Sequence, residues 1–128
     1  MPVDDVFPIL TTADLGRLLP FYTDVLGGEL VYQFPPEGAP AYVSVQFGKA
    51  SVGLGHDPAL HPTIGRRTTD RPPIALWLYT DDLDALVAAI RSAGGRITQE
   101  PTDQPWGERE ARAEDPDGNH LYLGQRAG

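Results

Sequence analysis

Between residues 41 and 47 apolar and polar positions alternate without a break. AYVSVQF puts Val43, Val45 and Phe47 on one face and Tyr42, Ser44 and Gln46 on the other, the period of a strand with one face buried. The runs VFPILTT (6–12), ELVYQF (29–34), ASVGLG (50–55) and PIALWLY (73–79) also read as strands, as do 96–99, 108–114 and 119–125. In two places the period lengthens to that of a helix. Asp14 stands at an N-cap position before Leu15, Leu18, Leu19, Tyr22 and Leu26, and Gly27-Gly28 closes the run. Pro20, about two turns in, predicts a kink or a shifted start. Asp81 or Asp82 likewise precedes Leu83, Leu86, Val87 and Ile90, and Gly94-Gly95 closes that run. Residues 56–72, HDPALHPTIGRRTTDRP, follow no period and read as an exposed linker. Asp115-Pro116-Asp117-Gly118-Asn119 reads as a tight turn, with Asp and Asn side chains bonding local backbone and Gly118 supplying a positive φ.

The pattern is therefore strand, helix, three strands, stated twice. Asp14-Leu15 and Gly27-Gly28 recur as Asp82-Leu83 and Gly94-Gly95, shifts of 68 and 67 residues. This predicts an α+β chain of one domain, 1–128, built from two βαβββ modules (1–55 and 73–128) joined by the 56–72 linker. Each sheet has one face covered by its helix, with Val43, Val45, Phe47, Leu121 and Leu123 in the helix–sheet core. The uncovered faces are expected to curl into a cleft-enclosing mixed sheet, a common setting for a ligand.

Charge and composition narrow the function. Eighteen acids against ten bases give a formal net charge of −8, which opposes nucleic-acid binding and favours a cationic ligand. The simpler reading of that charge is solubility. Cysteine is absent, removing disulfides and thiolate chemistry. The opening MPVDDVFPIL is acidic and too short in apolar residues for a signal peptide, and no stretch approaches the roughly 20 apolar residues of a membrane helix. A cytoplasmic protein without membrane or nucleic-acid partners is the expectation.

Three stretches carry a family resemblance. FPILTTADLGRLLPFYTDVLGGEL (7–30) resembles the opening of the vicinal oxygen chelate superfamily, the glyoxalases, bleomycin-resistance proteins and dioxygenases. DLDALVAAIRSAGG (82–95) matches its second module. QPWGEREARAEDPDGNHLYL (104–123) looks like the PWG-x-R…DP-x-GN signature of the bleomycin-resistance-like branch. The resemblance covers nearly the whole chain, residues 56–72 least. It implies the duplicated fold, and for that branch a homodimer whose two chains share an antibiotic-binding groove.

Enzymes of that superfamily hold a divalent metal through His, Gln or Glu on four strands. By the resemblance those positions are Phe7, about Gly53, Pro73 and Tyr122. None is a usual ligand, so no metal and no other cofactor is expected. Of the three histidines, His56 and His61 flank proline-rich sequence. His120 lies two residues before Tyr122, so a displaced site from His56, His120 and an acid is the alternative. No GxSxG or Ser–His–acid pattern supports nucleophilic catalysis, and GLG at 53–55 lacks the ending of a phosphate loop.

What remains for the cleft is aromatic. Alternation from Phe7 adds Ile9 and Thr11, and alternation from Pro73 adds Ala75, Trp77 and Tyr79. Tyr42, Ser44 and Gln46 supply a polar–aromatic face, and the resemblance places Trp106 at the mouth. The candidate ligand-binding set is Phe7, Ile9, Tyr42, Ser44, Gln46, Trp77, Tyr79, Trp106, Glu110, His120 and Tyr122, with no catalytic residue. Trp77 and Tyr42 suit core packing equally well. Arg109 is assigned a structural ion pair, and Glu108, Glu110 and Glu114 a solvated face whose charge would attract a cationic drug. Three functions stay open: metal-free sequestration of an antibiotic-like aromatic or cationic molecule; a metal-dependent glyoxalase- or dioxygenase-type enzyme with displaced ligands; and a metal-free isomerase or lyase using Tyr122, His120 or Glu110 as acid–base group.

Overall fold

The computed structural model describes residues 5–59 and 74–127; most of the expected linker, with His61, and Pro73 fall outside that range. The chain forms two units, one holding the first four strands and the other the last four. Each is a four-stranded mixed sheet with a helical segment inserted after its first strand, so the α+β duplication of βαβββ modules is observed.

In the first unit β1 (Ile9–Thr12), β2 (Glu29–Phe34), β3 (Tyr42–Phe47) and β4 (Ala50–His56) lie in the order β1-β4-β3-β2. β1 and β4 are parallel, with Ile9 opposite Gly53, and the other pairs are antiparallel. α1 (Leu15–Pro20) is capped by Asp14, whose carboxylate accepts from the Arg17 amide at 3.1 Å. Pro20 lacks the N–H for the next helical bond. The chain continues as a wider π-helical turn over Phe21–Val25, closed by the Leu26 amide donating to the Phe21 carbonyl at 3.0 Å. The expected kink thus takes the form of a change in helix type. Leu15, Leu18, Phe21 and Tyr22 are buried on the helical side, Val43, Val45, Val52 and Leu54 on the sheet side.

The second unit repeats this order as β5-β8-β7-β6, from β5 (Leu76–Tyr79), β6 (Arg96–Asp103), β7 (Arg109–Glu114) and β8 (His120–Gln125). α2 (Leu83–Ser92) is a regular helix capped by Asp82, which accepts from Ala85 at 3.1 Å. Leu83, Val87 and Ile90 pack against Ala111, Ala113, Leu121 and Leu123. Each fully buried leucine or valine contributes about 1.5–3 kcal/mol. Both caps are preceded by the same hydroxyl support: Thr12 accepts from the Asp14 amide at 3.0 Å and Thr80 from the Asp82 amide at 3.2 Å.

Several expected boundaries shift for local reasons. β1 starts at Ile9, not at residue 6, because Pro8 has no N–H to give the ladder; its carbonyl still accepts from Gly53 at 2.9 Å. β4 runs on to His56. β5 begins at Leu76 rather than 73. β6 passes through Pro101 to Asp103 instead of ending at 99. It is an edge strand, and its register with β7 shifts between Ile97 and Gln99 and again between Gln99 and Thr102, so the missing N–H breaks no interior ladder.

Candidate functional site

The helix-free face of the second sheet gathers most of the candidates. On β5, Trp77 and Tyr79 lie opposite Tyr122 and Gly124 of β8, which in turn lie opposite Arg112 and Glu110 of β7. The Trp77 ring meets Tyr79 and Tyr122 edge-on, with centroids 5.8 and 5.9 Å apart. Gly124 makes this possible: a Cβ there would stand 2.7 Å from the indole. Trp77 remains 38% and Tyr79 45% exposed, so neither is a core residue, although Trp77 fitted that role equally in the sequence.

Trp106 is brought to this face by one carboxylate. The Gln104–Glu108 loop closes through the Gly107 amide to the Gln104 carbonyl (3.0 Å) and the Gln104 amide to the Glu108 carbonyl (2.8 Å). Glu108 then accepts from the Trp106 indole N–H at 2.9 Å through Oε1 and from the Tyr79 hydroxyl at 3.0 Å through Oε2. The Trp106 ring stays 58% exposed. Donation to the Glu108 carboxylate pushes the Tyr79 phenol above its ordinary pKa of 10.0; burial and the nearby negative charge act in the same sense, and the Arg126 cation opposes them.

Glu110 and Glu114 do not form the solvated face expected of them. Glu110 is 2% exposed and accepts from Gln104 Nε2 at 2.9 Å and from Arg112 Nε at 3.2 Å. Glu114 is buried as well, with the Arg96 guanidinium 3.9 Å away. A buried carboxylate needs such partners. Arg112 in turn lies over the Tyr122 ring, 4.9 Å from its centroid. Arg109 has the structural pairing assigned to it, with Asp84 of α2 (3.3 Å) and Asp103 of β6 (3.5 Å). His120 is half-buried opposite Glu114, and its Nε2 is enclosed with no hydrogen-bond partner among the described residues.

The first unit presents a plainer face. Ile9 and Phe7 are exposed and Tyr42 lies across Gly53, where a Cβ would meet the phenol ring at 2.9 Å. Ser44 is half-buried beside them. Gln46 is turned to its own hairpin, donating to the Gly48 carbonyl at 2.8 Å. Tyr32 of β2, absent from the candidate set, stands 6.2 Å from Tyr42 ring to ring. Arg112 and Arg126 were also missed in the sequence, and Glu108 was assigned only to a solvated face. Alternation places Glu108 and Arg112 with Glu110, a signal outweighed by their charge.

A metal ion does not fit these residues. Phe7 offers no donor atom, and the side-chain space at Gly53 is filled by Tyr42. Tyr122 faces a guanidinium, which repels a cation. Among the described residues no group of three His, Asp or Glu could hold an ion. His56, the proposed displaced ligand, has its Nε2 beside the Ala13 carbonyl at 3.2 Å.

The duplicated βαβββ plan and the aromatic sheet face of the second unit define the class of protein. The chain belongs to the Glyoxalase/Bleomycin resistance protein/Dioxygenase superfamily, whose family model matches residues 5–123. It is similar to TnmS3, an antibiotic-binding protein from Streptomyces sp. CB03234, with 27% identity, a TM-score of 0.72 and 99% of each chain covered. It is similar also to a bleomycin-binding protein in complex with bleomycin, at 26% identity, a TM-score of 0.65 and coverage of 97% and 99%. An uncharacterized protein of Mycobacterium bovis is 25% identical over 92% of this chain and 80% of its own length.

Proposed function

We propose that this protein binds and sequesters a small, flat, antibiotic-like molecule and leaves it chemically unchanged. The observation that carries the reading is the exposed trio Trp77, Tyr79 and Trp106, of which Glu108 holds Tyr79 and Trp106 while Trp77 packs edge-on against Tyr79. Exposed aromatics cost solubility unless they have a partner, and each offers about 150–250 Å² for stacking. Their fixed geometry lowers the ordering cost of binding. The similarity to antibiotic-binding and bleomycin-binding proteins supports the same reading, and the acidic net charge favours a cationic compound.

Isothermal titration and tryptophan fluorescence against a panel of glycopeptide and intercalating antibiotics test it. Binding of at least one compound is expected, weakened about tenfold or more by Trp106→Ala or Trp77→Ala, since tenfold is 1.4 kcal/mol. Silence across the panel overturns the proposal. The reading includes a homodimer, supported by the exposed apolar edge strand β2, where Leu30, Val31, Tyr32 and Phe34 remain uncovered. Light scattering giving a monomer at all concentrations would remove that part alone. No helix among the described residues is long and apolar enough to cross a membrane.

A further inference from the structure

The aromatic face of the second unit already holds a cation of its own. Arg126, the residue after β8, places its guanidinium carbon 3.7 Å from the centroid of the Tyr79 ring. That is closer than Arg112 lies to Tyr122, and the two arginines are held differently. Arg112 is locked by its ion pair with buried Glu110. Arg126 is exposed, lies outside the strand ladder, and has no carboxylate within ion-pair distance among the described residues. Stacking on Tyr79 is therefore what positions its head group. The ring beneath it suits a cation: its hydroxyl donates to the Glu108 carboxylate, which adds negative charge at the ring's edge, and Trp77 forms an adjoining wall. Planar guanidinium and rounded ammonium groups are both drawn to such a face.

We propose that the face of Tyr79, walled by Trp77 and edged by Glu108, is a subsite for a guanidinium or ammonium group of the ligand, and that Arg126 is its internal occupant, displaced on binding. The proposal rests on the ligand-binding reading above and specifies the charge of one part of the guest. An exposed cation–π contact is weak enough to open readily, yet it keeps the subsite occupied most of the time. An incoming cation then binds less tightly by the fraction of molecules in which the subsite is open. For a contact of ordinary exposed strength that fraction corresponds to a loss of roughly three- to sixfold.

The test uses the full chain with phenylguanidinium and its neutral isostere phenylurea. Binding is followed by titration NMR, reading the Arg126 side-chain protons that the Tyr79 ring current shifts. Phenylguanidinium should move those protons toward free-arginine values, and Arg126→Ala should bind it roughly three- to sixfold more tightly while leaving phenylurea unchanged. Tyr79→Leu should abolish the preference for the cation; Tyr79→Phe, which keeps the ring, should retain most of it. Unchanged or weaker phenylguanidinium binding by Arg126→Ala overturns the proposal, as does an equal gain for phenylurea. Failure of the antibiotic panel alongside a cation-specific gain here would sink the sequestration reading and leave the subsite standing. Antibiotic binding without any guanidinium preference would do the reverse.

Discussion

The two units share one backbone plan and differ in what they place on it. Their caps match closely: Asp14 at φ −143° and ψ 86°, Asp82 at φ −141° and ψ 91°, each with a threonine two residues before it. Their helices end at Gly27 and Gly94, with φ 83° and 82°. Strand order is the same. The open faces are another matter. The first carries Ile9, Ser44 and two tyrosines around Gly53 and Gly55. The second carries a buried carboxylate, two arginines stacked on tyrosines, and a loop tied down by Glu108. What the repeat preserves is the chemistry that ends and starts elements. The side chains on the open faces diverge freely, because no backbone bond depends on them.

The connections between the last two strands of each unit differ most, and breaking one should give the largest effect. β3 and β4 are joined by the short Gly48-Lys49 turn. β7 and β8 are joined through Asp115, a buried residue whose Oδ1 accepts from the Asp117 and Asn119 amides at 2.9 Å and whose Oδ2 accepts from Asn119 Nδ2 at 2.8 Å. Gly118 completes the turn at φ 86°. Asp115→Ala removes these charge-assisted bonds and should destabilise the protein by about 3 kcal/mol in urea unfolding. Lys49→Ala, at the corresponding place in the first unit, should change stability by under about 0.5 kcal/mol. Equal effects would mean that the turn is not organised by the carboxylate.

Next in size is a test of the two glycines that let a ring lie against the sheet. Gly124→Ala would drive a methyl group into the Trp77 indole, and Gly53→Ala one into the Tyr42 ring. Overpacking at each should cost about 2 kcal/mol. Only Gly124→Ala should shift tryptophan emission, since Trp77 alone must leave its place. An unshifted spectrum would show that the indole does not rest on Gly124.

The plan of both units was legible in the sequence because its signals are local. An aspartate, an apolar helical run and a glycine pair mark α1 and α2, and alternation marks β3. The turn at Asp115–Asn119 was legible for the same reason. The acids of β7 were not. Glu110 and Glu114 look like solvent residues until Gln104, Arg112 and Arg96 are placed beside them, and those partners come from a loop, the same strand and a neighbouring strand. Two strand ends near prolines were not legible either. Pro8 shortened β1, and Pro101 failed to end β6 because an edge strand has one ladder to lose. Trp106 was recognised through a motif, but what holds it, a carboxylate shared with Tyr79, follows only from the fold.

The matched caps predict matched, smaller effects. Asp14→Ala and Asp82→Ala should each cost about 1 kcal/mol. Hydrogen exchange should show where: the amides of Arg17 and Ala85 lose their carboxylate acceptors at 3.1 Å and should exchange faster. α1 is short and passes into the π-helical turn after Pro20, whereas α2 runs unbroken to Ser92. Faster exchange should therefore spread further along the first helix than along the second. Identical spread would show that the change of helix type leaves local cooperativity untouched.

The smallest effect concerns Tyr79 and isolates the feature that the first unit lacks. The phenol donates to Glu108, so ionising it breaks a charge-assisted bond and sets two negative charges together; its pKa therefore lies above 10.0. The sign for stability follows. The folded protein holds this proton more tightly than the unfolded chain, so the contribution is fully present below pH 10.0 and is lost as pH rises through the higher folded value. Glu108→Gln keeps an acceptor but removes the charge and should bring the Tyr79 titration, followed by tyrosinate absorbance, back toward its ordinary value. Arg126→Ala should move it the other way, because the guanidinium over the ring favours the phenolate. The two shifts are opposite in direction and arise from groups at different parts of one ring: Glu108 sits at its edge, Arg126 over its face. A double variant that cancels them would show that a single tyrosine senses both. Titration unmoved by either change would mean that neither the carboxylate nor the guanidinium occupies its place in solution, and the second face would then be as plain as the first.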